Sequence, residues 1–140
     1  MKTLVDTNII LDVLMQREPH FAQSVAFLKL CGAGVTGWIT ASQTTDIFYL
    51  LRRGGKDSEA ALGIVKSLTD NLKMIDVTAK DVRAAFDLQM SDFEDALAAQ
   101  CAKRARMDYI VTRNAKDFVH SPVPAITPGE FLAKHYPAAK

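Results

Sequence analysis

Apolar residues recur along the chain with two spacings, and the alternation between them predicts the order of elements. Thr3 to Val5 form a short run suited to a buried strand, and residues 9–15 continue it with helical spacing. Pro19 is placed to open a second helix with Phe21, Val25, Phe27 and Leu28 on its apolar side, and Gly32 and Gly34 turn the chain into a strand over residues 35–39. A third helix follows Thr40, carries Ile47, Leu50 and Leu51, and stops at Gly54-Gly55. Asp57 or Ser58 caps a fourth, with Ala61, Ile64, Val65 and Leu68 along it. Residues 74–77 read as a strand, and Thr78 caps a helix whose apolar side holds Val82, Ala85, Phe86 and Leu88. Ser91 or Asp92 caps a helix running through Ala105, and strands follow over residues 109–111 and 123–126. Pro128 opens a terminal helix. Strands alternating with helices predict an α/β fold with a mostly parallel sheet. It forms a single domain over residues 1–136, with residues 137–140 as a short flexible tail.

The bulk numbers narrow the function less than the pattern does. A chain of 140 residues buries a sizeable core, and 49% hydrophobic with 24% charged residues is ordinary for a soluble protein. A net charge of +1 gives no global argument for nucleic acid, so any such argument rests on local clusters. No leader is evident and no apolar run reaches the roughly 18 residues that span a membrane. A cytoplasmic protein is therefore expected, with Cys31 and Cys101 as reduced thiols packed like small apolar groups. His20, His120 and His135 fall in loops or the tail and are expected to be solvated, which leaves the chemistry to the acidic residues.

The acidic residues at element boundaries are Asp6, Asp46, Asp92, Glu94, Asp95 and Asp117. Asp6 stands between an apolar strand and an apolar helix, where it is either an N-cap or a metal ligand at the carboxyl end of a central strand. Asp92 and Asp95 share one helix face and the first turn, where capping and the helix dipole account for them without chemistry. In an open parallel sheet, however, ligands gather outside the carboxyl ends of the strands. Asp6 and the turn Thr112-Arg113-Asn114 share that edge, and carboxylates converging there repel until a divalent cation offsets their charge.

Three stretches, LVDTNIILDVL, ASQTTDIFYLLRR and DFEDALAAQCAKRARMDYIVTRNAKDF, carry a resemblance extending from Thr3 to Phe118. In order and spacing they resemble the PIN-domain family, in particular the small ribonuclease toxins of VapBC-type toxin–antitoxin pairs. The resemblance implies a three-layer α/β/α PIN-like fold and a Mg²⁺- or Mn²⁺-dependent endoribonuclease that hydrolyses single-stranded or structured RNA. It places the acidic positions on Asp6, Asp46 and Asp95, and the fourth on Asp117 or in part on Asp92. Asp6, Asp95 and Asp92 are then the residues nearest the metal, with Asn8, Thr112 and Asn114 hydrogen-bonding the carboxylates. Two features depart from the family pattern: Asp46 replaces the usual glutamate, and DFED offers three acids together. The resemblance further implies a homodimer and a cognate antitoxin protein.

Arg113 and Lys116 flank Asn114 and are candidates for holding RNA phosphates. Lys103 and Arg104, like Arg52 and Arg53, sit at helix ends where cations are simply favourable and solvated. Phe48 is expected to pack, whereas Trp38 and Tyr49 are also suited to stacking on unpaired bases. The alternative to an enzyme is a PIN-like RNA-binding module with weak or no catalysis, supported only by the shortened Asp46. A phosphotransfer protein fits less well, because Asn8 stands where the dehalogenase pattern needs a second aspartate.

Overall fold

The computed structural model describes residues 1–137; most of the predicted tail lies outside the described residues. The strands β1 (Lys2–Val5), β2 (Thr36–Thr40), β3 (Lys73–Ile75), β4 (Tyr109–Val111) and β5 (Ala125–Ile126) form one sheet, every neighbouring pair parallel. Their order is β3-β2-β1-β4-β5. The helices are α1 (Thr7–Leu14), α2 (Phe21–Leu30), α3 (Ala41–Arg53), α4 (Ser58–Asn71), α5 (Ala79–Ala85), α6 (Phe93–Arg104) and α7 (Pro128–His135). The α/β/α expectation holds.

Successive strand residues face opposite layers, so each strand feeds two cores. Val5, Ile39 and Val111 join Ile9, Ile10, Ile47, Leu51 and Phe131 beneath α1, α2, α3, α4 and α7. Leu4, Ile75 and Ile110 join Ala99, Ala102 and Met107 beneath α6. The alanines of α6 let that helix lie close on β1 and β4, which aims its N-terminal turn at the sheet edge. The chain leaves β1 towards β2 on one side and reaches β4 on the other. The order therefore reverses between β1 and β4, and a crevice opens beyond their carboxyl ends.

Several local expectations needed correction. α2 begins at Phe21, and Pro19 belongs to the preceding turn rather than to the helix. Strand β3 stops at Ile75, because Asp76 leaves the sheet to meet Arg104. Phe86 does not join the core: α5 tightens into a 3-10 turn over Phe86–Leu88, which rotates the ring outward to stack on Phe93. Arg104 is not merely solvated. It pairs with Asp81 at 2.9 Å and Asp76 at 3.1 Å, tying α6 to the start of α5. Burial would raise the Asp81 carboxyl, but hydrogen bonds from Arg104 and Thr78 outweigh it and hold it down to about 2. His135 lies in the last turn of α7 against Phe131, with Nε2 3.3 Å from Tyr109 Oη, rather than in a solvated tail. Phe48 packs against the first core as expected, while Trp38 lies by the second core with Lys2 and Lys73 over its ring. Among the described residues no helix is long and apolar enough to cross a membrane.

Candidate active site

Asp6 is the first residue beyond β1, and its amide donates to Val111 O of β4 at 2.9 Å. The backbone is thus still tied to the neighbouring strand where the side chain turns out of the sheet. The two carboxylate oxygens have different partners. Oδ1 accepts from Thr7 N at 2.7 Å and caps α1; Oδ2 accepts from Thr112 Oγ1 at 2.7 Å. The cap and the site are one residue. Asn8 Nδ2 lies 3.4 Å from both Asp6 Oδ2 and Thr112 Oγ1, and Asn8 Oδ1 accepts from Arg113 N at 3.4 Å. Asn114 reaches this network through its backbone N–H, which donates to Thr112 Oγ1 at 3.1 Å, and not through the side-chain amide expected from the sequence.

The opposite wall is the first turn of α6. Asp92 caps it, Oδ1 accepting from Asp95 N at 3.0 Å, so the capping account of Asp92 is correct for that oxygen. Asp6, Asp46, Glu94 and Asp95 line one cleft of about 230 Å³ with Thr7, Ser42 and Gln43; its floor is Leu4, Ile110 and Phe118. Burial raises the Asp6 carboxyl above its ordinary range, against the hydrogen bonds of Thr112 and Thr7, and the nearby Asp92 charge adds to the rise. Burial also raises Asp95, together with the charges of Asp6, Asp92, Asp117 and Glu94, to about 7. Glu94 is raised by burial and by Asp46, Asp92 and Asp6. Every acidic residue singled out from the sequence therefore bears on one electrostatic unit. Asp46 enters it through Glu94, and Asp117 enters from an exposed position in a 3-10 turn.

Is this a place for a metal ion? The donor set is entirely hard carboxylate and hydroxyl oxygen, which suits a small divalent cation rather than a soft one. Burial and the neighbouring carboxylates together raise Asp95, and such a cation would offset that cost. Among the described residues no three acidic, histidine or cysteine side chains already converge on a single point. The residues fit in chemistry; the ligating geometry is not preassembled.

Two supporting residues escaped the sequence reading. Gln43 is buried in the first turn of α3: its Oε1 accepts from Thr40 N at 2.7 Å while Nε2 donates to Val5 O at 2.8 Å and to Thr7 Oγ1 at 3.2 Å. That places α3, and with it Asp46, against the end of β1; the Thr40-x-x-Gln43 capping box was its available signal. Asp12, one turn beyond Asn8 on α1, is fully buried with Oδ2 2.7 Å from Arg113 Nε. The contact is close but not aligned as a hydrogen bond. Arg113 is thus anchored away from the cleft rather than free to reach into it, while Lys116 is exposed.

The fold recurs among known proteins. A family model described as PIN domain matches residues 2–116. Ribonuclease VapC1 of Aquifex aeolicus is 27% identical over 139 residues, covering 95% of this chain and 94% of that protein. The fold is shared with VapBC2 from Rickettsia felis bound to a DNA fragment from its promoter (TM-score 0.72, 20% identity, 91% of this chain and 98% of that one). It is also shared with Mycobacterium tuberculosis VapC20, a toxin that cleaves the Sarcin-Ricin loop (TM-score 0.61, 15% identity, 77% of this chain and 86% of that one).

Proposed function

The chain belongs to the PIN-domain family, and from that premise we propose that it is a divalent-metal-dependent endoribonuclease, the toxin of a toxin–antitoxin pair. The observation that carries this reading is that Asp6 at the end of β1, Asp46 of α3, and Glu94 and Asp95 of α6 line one cleft at the strand-order reversal. The relatives support it. One is named a ribonuclease, another is a toxin that cleaves the Sarcin-Ricin loop, and several were solved as toxin–antitoxin complexes.

Asp6 and Asp95 would hold the cation, Mg²⁺ or Mn²⁺, with Asp92 contributing the oxygen not used in capping. Asp46 and Asp117 would complete the acidic shell from α3 and the turn after β4. Such a cation, when bound, offsets charge on a phosphodiester and makes water more acidic. The protein's own part is orientation. Thr112 Oγ1 and Asn8 Nδ2 fix the Asp6 carboxylate, and Thr7 N holds its other oxygen, so the group does not swing when charge enters the cleft. Partners of this function are an RNA substrate, a cognate antitoxin and a second copy of the chain, acting in the cytoplasm as a single domain of residues 1–136.

The second reading is an RNA-binding module without catalysis. It draws on the shorter Asp46. One experiment separates the two: purified protein, free of antitoxin, is incubated with total bacterial RNA and Mg²⁺ or Mn²⁺ beside an Asp6→Asn control. Discrete cleavage by the unaltered chain alone supports the nuclease; binding without cleavage by either supports the module.

A further inference from the structure

A second pocket, of about 210 Å³, lies between α2 and α7 and is lined by His20, Gln23, Ser24, Arg113, Thr127 and Pro128. We propose that this pocket is a phosphate-binding site, distinct from the acidic cleft and joined to it through the Thr112-Arg113 link.

The lining is donor-rich and contains one formal cation and no carboxylate. Ser24 is 1% exposed, and its hydroxyl has no hydrogen-bond partner. A buried hydroxyl is rarely left unpaired, so a group that can accept from it is the natural complement. Arg113 supplies the charge. Its Nε is buried against Asp12, yet the side chain is 26% exposed, so the accessible part lies elsewhere along it while Asp12 stays fully enclosed behind. Asp12 is not part of the lining, although its carboxylate offsets some of the Arg113 charge.

The other contributors are fixed by packing. His20 occupies the N-cap position of α2 but makes no side-chain cap bond, leaving its ring free of that duty. Thr127 caps α7, an eight-residue helix whose positive end adds to the field of the pocket. Gly129 in the first turn of α7 leaves room for the Gln23 amide: a Cβ there would stand 2.8 Å from Nε2 and 2.9 Å from Oε1. A hydroxyl, an amide and a guanidinium together match a tetrahedral oxyanion with several acceptor oxygens.

Because Arg113 directly follows Thr112, whose hydroxyl contacts Asp6, a phosphate held here lies one residue along the chain from the carboxylate network. A phosphate of a nucleic-acid strand would use these atoms. A free phosphate or a small phosphorylated molecule would use the same atoms. Only the choice of strand as source rests on the ribonuclease reading.

The test uses the full chain labelled with ¹⁵N, without divalent cation, followed by amide and arginine Nε resonances. One arm adds inorganic phosphate against sodium chloride of equal ionic strength; a second adds a short oligouridylate. The expected result is saturable movement of Ser24, Gly129, Glu130 and Arg113 Nε with phosphate, and affinity about tenfold weaker in Ser24→Ala, the loss of one charge-assisted hydrogen bond. Ser24→Ala removes an unpaired hydroxyl and adds a good helix former, so it keeps the fold. Gly129→Ala is a second variant, displacing the Gln23 amide and weakening binding likewise. Movement with both probes assigns a strand phosphate, and movement with phosphate alone assigns a small phosphorylated ligand. No movement with either, equal movement with chloride, or unchanged affinity in both variants overturns the site. The phosphate arm does not depend on cleavage, so its outcome and that of the RNA assay fail independently.

Discussion

Replacing Asp95 with asparagine should make the metal-free protein more stable above neutral pH while abolishing cleavage. Burial and the charges of Asp6, Asp92, Asp117 and Glu94 raise this carboxyl from 3.8 to about 7. A group whose folded pKa exceeds its unfolded value binds protons more tightly in the native state. Its favourable contribution is therefore present at low pH and is lost as pH rises through the folded pKa. The shift of about three pH units sets a ceiling of about 4 kcal/mol at 1.36 kcal/mol per unit. Asp95 is half-exposed and water screens its neighbours, so about 1–2 kcal/mol is the working figure. Asparagine resembles the protonated acid and escapes the cost, which predicts a melting temperature higher by about 3–6 °C at pH 8. The gap should narrow to about a third near pH 5, where folded Asp95 is protonated but the unfolded carboxyl is not, and close near pH 4. Asp81, held at about 2, titrates below this window and does not interfere. The assay is thermal unfolding of both proteins in a chelating buffer from pH 4 to 8, then with Mg²⁺ or Mn²⁺ added. The cation should raise the melting temperature of the wild type more than that of the variant. A variant less stable than wild type at every pH would refute the reasoning and make Asp95 a structural residue of the α6 first turn.

Other substitutions divide support from chemistry. Asp6→Asn keeps an N-cap side chain at the head of α1, so circular dichroism and melting should stay within about 1 kcal/mol of wild type while RNA cleavage disappears. Thr112→Ala removes the 2.7 Å hydrogen bond to Asp6 Oδ2 and should lower cleavage or metal affinity about 10–100-fold, measured as kcat/KM against cation concentration. Asp12→Ala leaves Arg113 Nε buried without its counter-charge and should cost about 2–4 kcal/mol by urea unfolding. Phe131→Ala, which empties the space between Phe27 and Tyr109, should cost about 3–5 kcal/mol by the same measurement.

The sequence pattern was sufficient for elements whose local chemistry and burial agree. Thr78 caps the helix it was expected to cap, Asp57 and Asp92 prove to be the caps over Ser58 and Ser91, and the apolar triplet Tyr109–Val111 is a strand. It misled where a tertiary contact overrode local pattern. Phe86 keeps helical spacing with Val82 and Ala85, but the 3-10 turn rotates it out to Phe93. Arg104 has the sequence context of a solvated cation at a helix end, and nothing local reports Asp81 twenty-three residues away.

The candidate site divides the same way. Asp6, Asp46, Asp92, Asp95 and Asp117 stand out because each interrupts or bounds an apolar element, so the cost of burying a carboxylate makes it visible in one dimension. Asp12 interrupts α1 just as Asp6 precedes it, yet it was passed over, since a lone acid in an amphipathic helix ordinarily faces water. Its meaning depends on β4 lying beside β1, which carries Arg113 to within 2.7 Å across a sequence gap of a hundred residues or so. The rule that ligands gather where strand order reverses located the edge; only the packed helices reveal which charges there face the cleft and which one holds a neighbour in place. Asp12 and Asp95 make the contrast concrete: the buried Asp12 carboxylate has a cation beside it, and the half-exposed Asp95 has only like charges. Neutralising the first should therefore cost stability, and neutralising the second should add it.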